Sequence, residues 1–396
     1  MATYLSSAEA ATLLGVSRQT LYAYVSRGLL HAHPGEEQRE SRYLASEVER
    51  LATSRTRGRK PREVARAALD WGLPVLESAL TLIEDGRLYY RGHDAVTVSV
   101  GASVEQAAAL LWDCREEDAF GPHAPPLPEG VDTLRAQWQG RRAEQTLLPL
   151  FALACGDDIG AQWRLPPERQ LASCGLLVRR LAACLLGIAP SAAPIHLQCA
   201  QAWQLDATGA DLVRRALVLC ADHELNASGF TARCIASTGA NLQAAVIGGL
   251  AALSGPLHGG TTARVEALLD ELDTAADPGI CLRERLARGD DLPGFGHHLY
   301  PQGDVRASAL LADLLPLHPH WRTATEVMRE LTGHAPSVDF ALAALRRHLG
   351  LPPGSAFGLF ALGRSLGWIA HALEQGRTGS LIRPRAAYVG VMPIAN

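Results

Sequence analysis

Lysine is almost absent from this chain of 396 residues. Lys60 is the only one, and arginine supplies the rest of the 37 basic residues. A Walker-A loop needs a Gly-Lys pair. None occurs, so P-loop nucleotide hydrolysis is excluded. Schiff-base chemistry needs a lysine in a pocket. Lys60 lies in the Arg-rich run SRTRGRKPR, which excludes PLP enzymes and Schiff-base aldolases. A phosphate or carboxylate ligand must therefore meet arginine, histidine or backbone amides. The 8 cysteines form no C-x-x-C pair, and most sit in apolar helical runs such as LAACLLGIA. That pattern predicts reduced core thiols in a cytoplasmic protein, with no zinc site and no disulfide framework. The N-terminus MATYLSSAEAATLL lacks the basic n-region of a signal peptide. No run of 18 apolar residues occurs, Arg179-Arg180 interrupting the nearest, so no membrane span is expected. No βαβ alternation appears either, which argues against Rossmann and TIM-barrel folds.

The chain has an ordinary globular composition, 47% hydrophobic and 20% charged. Its formal charge of −4 is unevenly spread. Residues 1–62 carry a net +4 and the remainder a net −8. A basic head on an acidic body suggests two functions in one chain.

Residues 1–53 read as a compact helical unit. Ser6-Ser7-Ala8-Glu9 is a capping-box pattern ahead of an apolar run, and Gly15 ends that helix. Ser17 caps a second helix, SRQTLYAYVSRG, closed by Gly28. Pro34-Gly35 suggests the turn of a small β wing, and Ser46-Glu47-Val48-Glu49 starts a third helix. This is helix-turn-helix grammar, and EAATLLGVSRQTLYAYVSRGLL resembles the MerR type. In that arrangement Ser17, Arg18, Gln19 and Thr20, with Tyr24 one turn on, face the major groove. Arg and Gln read base edges, while Ser and Thr can contact phosphate. Residues 54–73 read as a basic linker and connecting helix, in which Arg55, Arg57, Arg59, Lys60 and Arg62 suit phosphate contact. The plainer reading makes those arginines solvated linker charges and the head a protein-contact module.

From residue 74 the pattern is mainly helical, after one hairpin in GRLYYRGHDAVTVSV. The expected fold class is therefore all-α. Three motifs tempt and fail. Gly363-Arg364-Ser365-Leu366-Gly367 matches the G-x-S-x-G elbow, which needs a strand and a strained turn. It lies instead inside FGLFALGRSLGWIAHALEQ, one continuous amphipathic helix pattern. Gly294-Phe295-Gly296 has no following glycine at 299, and His223-Glu224 has Ala at 227, so neither a dinucleotide loop nor a zincin site results.

Four segments place His and charged residues among glycines and turns. They are ADHELNASGF, GPLHGG, PGFGHHLYPQGDVRA and PSVDF. GRSLGWIAHALEQ and LIRPRAAY add arginines. In order and spacing these segments, with YYRGHDAV before them, resemble the citrate synthase family. The resemblance spans residues 74–396. It implies a large helical domain (74–260 and 348–396), an inserted small helical domain (261–347) and a homodimer. It also implies condensation of acetyl-CoA with oxaloacetate, with acetyl-CoA as co-substrate and no cofactor. By motif match Asp339 is the base, and His258, near a helix N-terminus that would keep it neutral, donates to the enolate oxygen. His297 polarises the ketone. His223, Arg306 and Arg364 hold oxaloacetate, joined by Arg383 from the partner subunit. An ordinary carboxylate, pKa about 3.9, is a weak base for a carbon acid, so the developing oxyanion must be stabilised.

Some positions depart from the family's pattern. GPLHGGTTA stands for the common GPLHGGANE, and SVDFALA for NVDFYSG. His298-Leu299-Tyr300-Pro301 replaces a segment in which an Arg and a Lys often lie near CoA. Two further readings therefore stay open: propionyl-CoA as substrate, giving 2-methylcitrate, and a DNA-binding regulator with the body as metabolite sensor.

Overall fold

The computed structural model describes residues 4–26, 30–34, 41–45, 47–48, 51, 76–124, 126–155, 167–386 and 388–392. It divides the chain into two compact units, Met1–Glu77 and Ser78–Asn396. The linker arginines, Lys60, Gly28, Gly35 and Ser46 lie outside the described residues.

In the first unit, β1 (Tyr4–Ser6) leads into α1 (Ser7–Leu14), followed by α2 (Arg18–Ser26), β2 (Ala32–Pro34) and β3 (Ser41–Leu44). The capping box forms as expected: Ser6 Oγ accepts from the Glu9 amide, and the Glu9 carboxylate accepts from the Ser6 amide. Gly15 closes α1 at φ +60°, a left-handed conformation that glycine adopts without steric cost. The wing is a three-stranded antiparallel sheet in the order β1-β3-β2. Its first strand, Tyr4–Ser6, is too short to announce itself by alternation. Ala10, Leu14, Leu21, Leu30, Tyr43 and Val48 form a small core of their own.

The second unit opens with the expected hairpin, β4 (Thr81–Glu84) and β5 (Arg87–Tyr90), to which β6 (His93–Asp94) adds a short third strand. Helices follow: α3 (Ala95–Gly101), α4 (Val104–Trp112), α5 (Glu116–Ala119), α6 (Val131–Gln137), α7 (Ala143–Ala154), α8 (Pro167–Leu186), α9 (Ile195–Trp203) and α10 (Ala207–Leu219). Then come α11 (Ala227–Ser237), α12 (Leu242–Leu253), α13 (Thr261–Thr274), α14 (Pro278–Arg288), α15 (Val305–Leu314), α16 (Pro319–Thr332), α17 (Val338–His348) and α18 (Ser355–Thr378). The architecture is mainly helical, as the sequence pattern predicts. Five of the eight cysteines are buried.

Helix α18 departs from expectation. Its pattern reads as amphipathic, yet nearly every residue from Ser355 to Leu373 is buried. It is long and apolar enough to cross a bilayer, but all of its apolar window lies inside the protein. A helix buried on every side needs no polar face. Its polar side chains, Arg364, Ser365 and His371, therefore face protein and not water.

Candidate active site

The described site is built where α18 runs past four turns. The first turn links α10 to α11 and carries His223. Asn226 caps α11 by accepting from the Gly229 amide (3.0 Å), and its side-chain amide donates to the carbonyls of His223 and Glu224. His223 is buried, and its Nε2 lies 3.1 Å from the Tyr300 hydroxyl.

The second turn, Gly255–Gly260, carries His258 ahead of α13. The Gly260 amide donates to the carbonyls of Leu253 and Gly255. A Cβ there would stand 2.6 Å from the Ser254 carbonyl oxygen, so only glycine lets the turn close. His258 Nε2 lies 2.8 Å from Ser228 Oγ, which also lies 2.7 Å from Asn226 Oδ1. Asn226 Oδ1 can only accept, so Ser228 donates its single proton there and the His258 Nε2–H donates to Ser228 Oγ.

The third turn carries His297. It pairs with the segment before α17: the Gly296 amide donates to Ala335 O and the Ser337 amide to Gly294 O, both at 2.8 Å. Gly294 (φ +88°) and Gly296 (φ +78°) adopt the conformations this needs. The Leu299 amide donates to His297 Nδ1 at 3.1 Å, which places the proton of the neutral ring on Nε2. The fourth turn places Asp339 in the first turn of α17. Its Oδ2 accepts from Ser337 Oγ (3.3 Å), while Oδ1 is shut off from solvent with no hydrogen-bond partner.

Two arginines form the floor. Arg306 is buried and grips Asp304 with two parallel bonds of 2.9 and 2.8 Å. Asp304 also accepts from the Val338 amide (3.0 Å), tying this pair to the start of α17. Arg364 is buried, and its Nε donates to Cys220 O (2.8 Å). Its Nη2 is buried without a partner, a cationic donor lacking the acceptor it would normally have.

Electrostatics follow from this layout. Burial and the two arginine charges push His258 down to about 3 and His297 to about 4, and hold His223 well below the ordinary histidine value. All three rings are neutral donors at pH 7. For His258 the cause is burial first and the charges of Arg364 and Arg306 next. Burial raises Asp339 to about 6, the Arg306 charge opposing it. It is thus a stronger base than the ordinary carboxylate expected from sequence, and still ionised at neutral pH. The side chains of His258, His297 and Asp339 are half-buried over a buried cationic floor. Such a cleft can bind a dianion and expose a carbon acid to a base beside neutral N–H donors.

The structure therefore brings together His223, His258, His297, Arg306, Asp339 and Arg364. Arg383 is not among them: it stands exposed in the segment after α18. Three partners were not singled out in the sequence: Tyr300, Asp304 and Ser228. Asp304 sits two residues before Arg306, and Ser228 closes DHELNAS, so both were adjacent to motifs already noted. Tyr300 lies in the departing segment, and nothing local marks it as reaching His223.

In the head, Arg18 and Gln19 are exposed at the start of α2. Ser17 and Thr20 are engaged with each other, Oγ to Oγ1 at 3.0 Å, with the Thr20 amide donating to Ser17. The Ser17 hydroxyl thus caps α2, with the Thr20 hydroxyl held against it. Tyr24 packs against the head's core and is half-buried, a correction to its expected place on the groove-facing side. The exposed ring is Tyr22, at 52%. The helical period explains the exchange: Leu21, Tyr24 and Val25 share the inward face.

These features describe a helical body with a raised carboxyl group, neutral histidines and an arginine floor, in a chain that also carries a helix-turn-helix head. Residues 172–385 match the family described as citrate synthase, C-terminal domain, and residues 4–56 match a helix-turn-helix domain. The chain is 35% identical over 335 residues to a Mycobacterium tuberculosis protein provisionally named citrate synthase 2, covering 78% of this chain and 88% of that one. It is 32% identical over 362 residues to citrate synthase of Haloferax volcanii, covering 81% and 94%. It superposes on the crystal structure of citrate synthase from Thermotoga maritima with a TM-score of 0.68 at 25% identity, covering 82% and 96%. The chain belongs to the citrate synthase family and is an enzyme of the citrate synthase type.

Proposed function

We propose that this enzyme condenses acetyl-CoA with oxaloacetate and hydrolyses the resulting thioester to citrate and CoA. The observation that carries this is the Asp339 carboxylate, raised to about 6 with one oxygen unpartnered, close enough to Arg306 to feel its charge. In this reading Asp339 removes a methyl proton from the acetyl group. His258 stabilises the enolate oxygen once the Ser228 hydroxyl turns from Asn226 Oδ1 to His258 Nε2 and the ring proton moves to Nδ1. The carbon nucleophile attacks the ketone of oxaloacetate, polarised by His297 Nε2–H. Arg364, with its free Nη2, Arg306 and His223 hold the carboxylates. Arg383 enters from a second copy in a homodimer, which accounts for its exposure in one chain. Residues 261–347 act as a small domain against 74–260 and 348–396. Neutral histidines suit this task because a donor with a depressed pKa adds no like charge beside the arginines.

A second acyl substrate has its own support. The chain is 36% identical over 197 residues to 2-methylcitrate synthase 1 of Corynebacterium glutamicum, covering 47% of this chain and 52% of that one. One extra methyl changes binding by only about 1–3 kcal/mol, so the same cleft can serve propionyl-CoA. Thiol release by purified enzyme given oxaloacetate and either thioester tests both. Release with neither overturns the proposal, and the ratio of the two kcat/KM values names the substrate.

For the head we propose duplex DNA as partner, with Arg18 and Gln19 at the base edges. Exposure of both at the start of α2 supports this. A gel-shift titration against random duplex at low salt checks it. Absence of a shift at micromolar protein makes the head a protein-contact module.

A further inference from the structure

The Gly363-Arg364-Ser365-Leu366-Gly367 motif is no nucleophile elbow, yet it has a use. Ser365 is buried and donates to Leu362 O within its own helix (2.7 Å). The glycines matter more. A Cβ on Gly363 would stand 2.7 Å from Leu217 O, and one on Gly367 would stand 2.3 Å from Asp222 Oδ1 and 2.6 Å from Ala221 O. They let α18 lie directly against the backbone that leads to His223. Along that contact α18 grips successive residues. Arg364 Nε donates to Cys220 O (2.8 Å), and the Gly367 amide donates to Ala221 O (2.9 Å). Two turns beyond Arg364, His371 Nε2 lies 3.1 Å from Glu224 O and 3.3 Å from Asp222 Oδ1.

His371 thus holds the residue on each side of His223. Both anchors need holding. Asp222 is fully buried, with its other oxygen accepting from Thr81 Oγ1 at 2.5 Å. Glu224 has φ +53°, a conformation that costs a non-glycine residue strain and persists only when its surroundings impose it. His371 also lies behind the second histidine. Its ring packs so closely on Gly229 that a Cβ there would come within 3.2 Å of Cδ2. Gly229 follows Ser228, the hydrogen-bond partner of His258. With Nδ1 buried and unpartnered, Nε2 is the ring nitrogen that faces both the Glu224 carbonyl at 3.1 Å and the Asp222 carboxylate at 3.3 Å.

We propose that His371, together with Asp222, is a positioning residue that sets His223 and His258 relative to each other, acting through the Glu224 carbonyl and the Gly229 backbone without touching substrate. This rests on the reading in which His223 binds the dicarboxylate. The test compares two variants of the full chain. His371→Phe keeps the ring volume and removes the N–H. His371→Gln restores an N–H at similar reach. His371→Phe should lower kcat about 10- to 100-fold and raise the oxaloacetate KM, leaving the acyl-CoA KM within about twofold. His371→Gln should recover most of the loss. Unchanged kinetics, equal impairment of both variants, or parallel movement of both KM values overturns the proposal. If His371→Phe does not fold, Asp222→Asn, which is isosteric, must show the same split. A ligand-free arm reads the ring nitrogens of His223 by 15N NMR, with His223→Asn for assignment. Its signals should shift in His371→Phe and return in His371→Gln, and constancy overturns the proposal. If wild-type enzyme condenses nothing, the functional reading fails and this arm alone decides the inference.

Discussion

The head and the body solve opposite electrostatic problems. In the head, the candidate contact residues Arg18 and Gln19 are exposed on one short helix, and water solvates them. In the body, Arg306 and Arg364 are buried, and each requires a constructed environment: Asp304 for one, Cys220 O and the nearby Asp222 for the other. An exposed charge costs almost nothing to place, while a buried one costs several kcal/mol unless paired or hydrogen-bonded. Function in the head should therefore be separable from stability. In the body the two should be tied together, often with opposite signs.

The sharpest break of that comparison is Asp339→Asn. It should abolish condensation, lowering kcat by about a thousandfold or more, with oxaloacetate binding by calorimetry nearly intact. It should also stabilise the fold. Asp339 sits at about 6, above the ordinary carboxylate value. The folded state therefore loses stability as pH rises through that range, and Asn removes up to about 3 kcal/mol of that loss at pH 7. A higher Tm alongside lost turnover is the expected signature. Turnover within about tenfold of wild type would remove Asp339 from the base role.

Next in size is Arg364→Met. It removes the buried guanidinium with the unpartnered Nη2 and should raise the oxaloacetate KM about 100-fold or more. The acyl-CoA KM should move far less. Equal shifts in both would place Arg364 in structure alone.

The pH dependence comes third. His258 and His297 are depressed to about 3 and 4. Between those values and about 6.5 the unfolded chain binds more protons, so stability falls as pH falls through that window. Asp339 offsets part of this with the opposite sign between about 4 and 6. Asp339→Asn should therefore lose stability more steeply on acidification, read from urea midpoints at pH 7, 6 and 5. For activity, kcat/KM should fall below about pH 6 as Asp339 takes up its proton.

The smallest effect should come from the head. Arg18→Ala should change chain stability by no more than about 0.5 kcal/mol. It should cost about 1–3 kcal/mol on a preferred duplex. Condensation kinetics should not change. Any loss of turnover would couple the head to the body.

Much of this was legible from local pattern. The capping box at Ser6 and Glu9, the close of α1 at Gly15 and the hairpin at Thr81–Tyr90 each depend on neighbours a few residues apart. His223, His258, His297, Arg306, Asp339 and Arg364 were marked by the resemblance of their segments to the family's motifs, and the fold brings those six together. The burial of α18 on all sides was not legible, since periodicity reports which face is apolar but not how many neighbours a helix acquires. Nor was the inward turn of Tyr24, because adjacent aromatics Tyr22 and Tyr24 give no local sign of which one the small core takes.

The sequence by itself determined the helical class, the division into a basic head and acidic body, and the chemistries excluded by a single lysine. Those follow from composition and from interactions within a turn or two of chain. Tertiary structure alone decided the protonation states. Asp339 rises, and His258 and His297 fall, because packing removes water from them and sets Arg306 and Arg364 nearby. It also decided that a motif shaped like a nucleophile elbow is a glycine track, along which α18 holds Cys220 to Glu224 in place. Desolvation and contact between segments 140 residues apart have no local signature, so no reading of the chain in order could have supplied them.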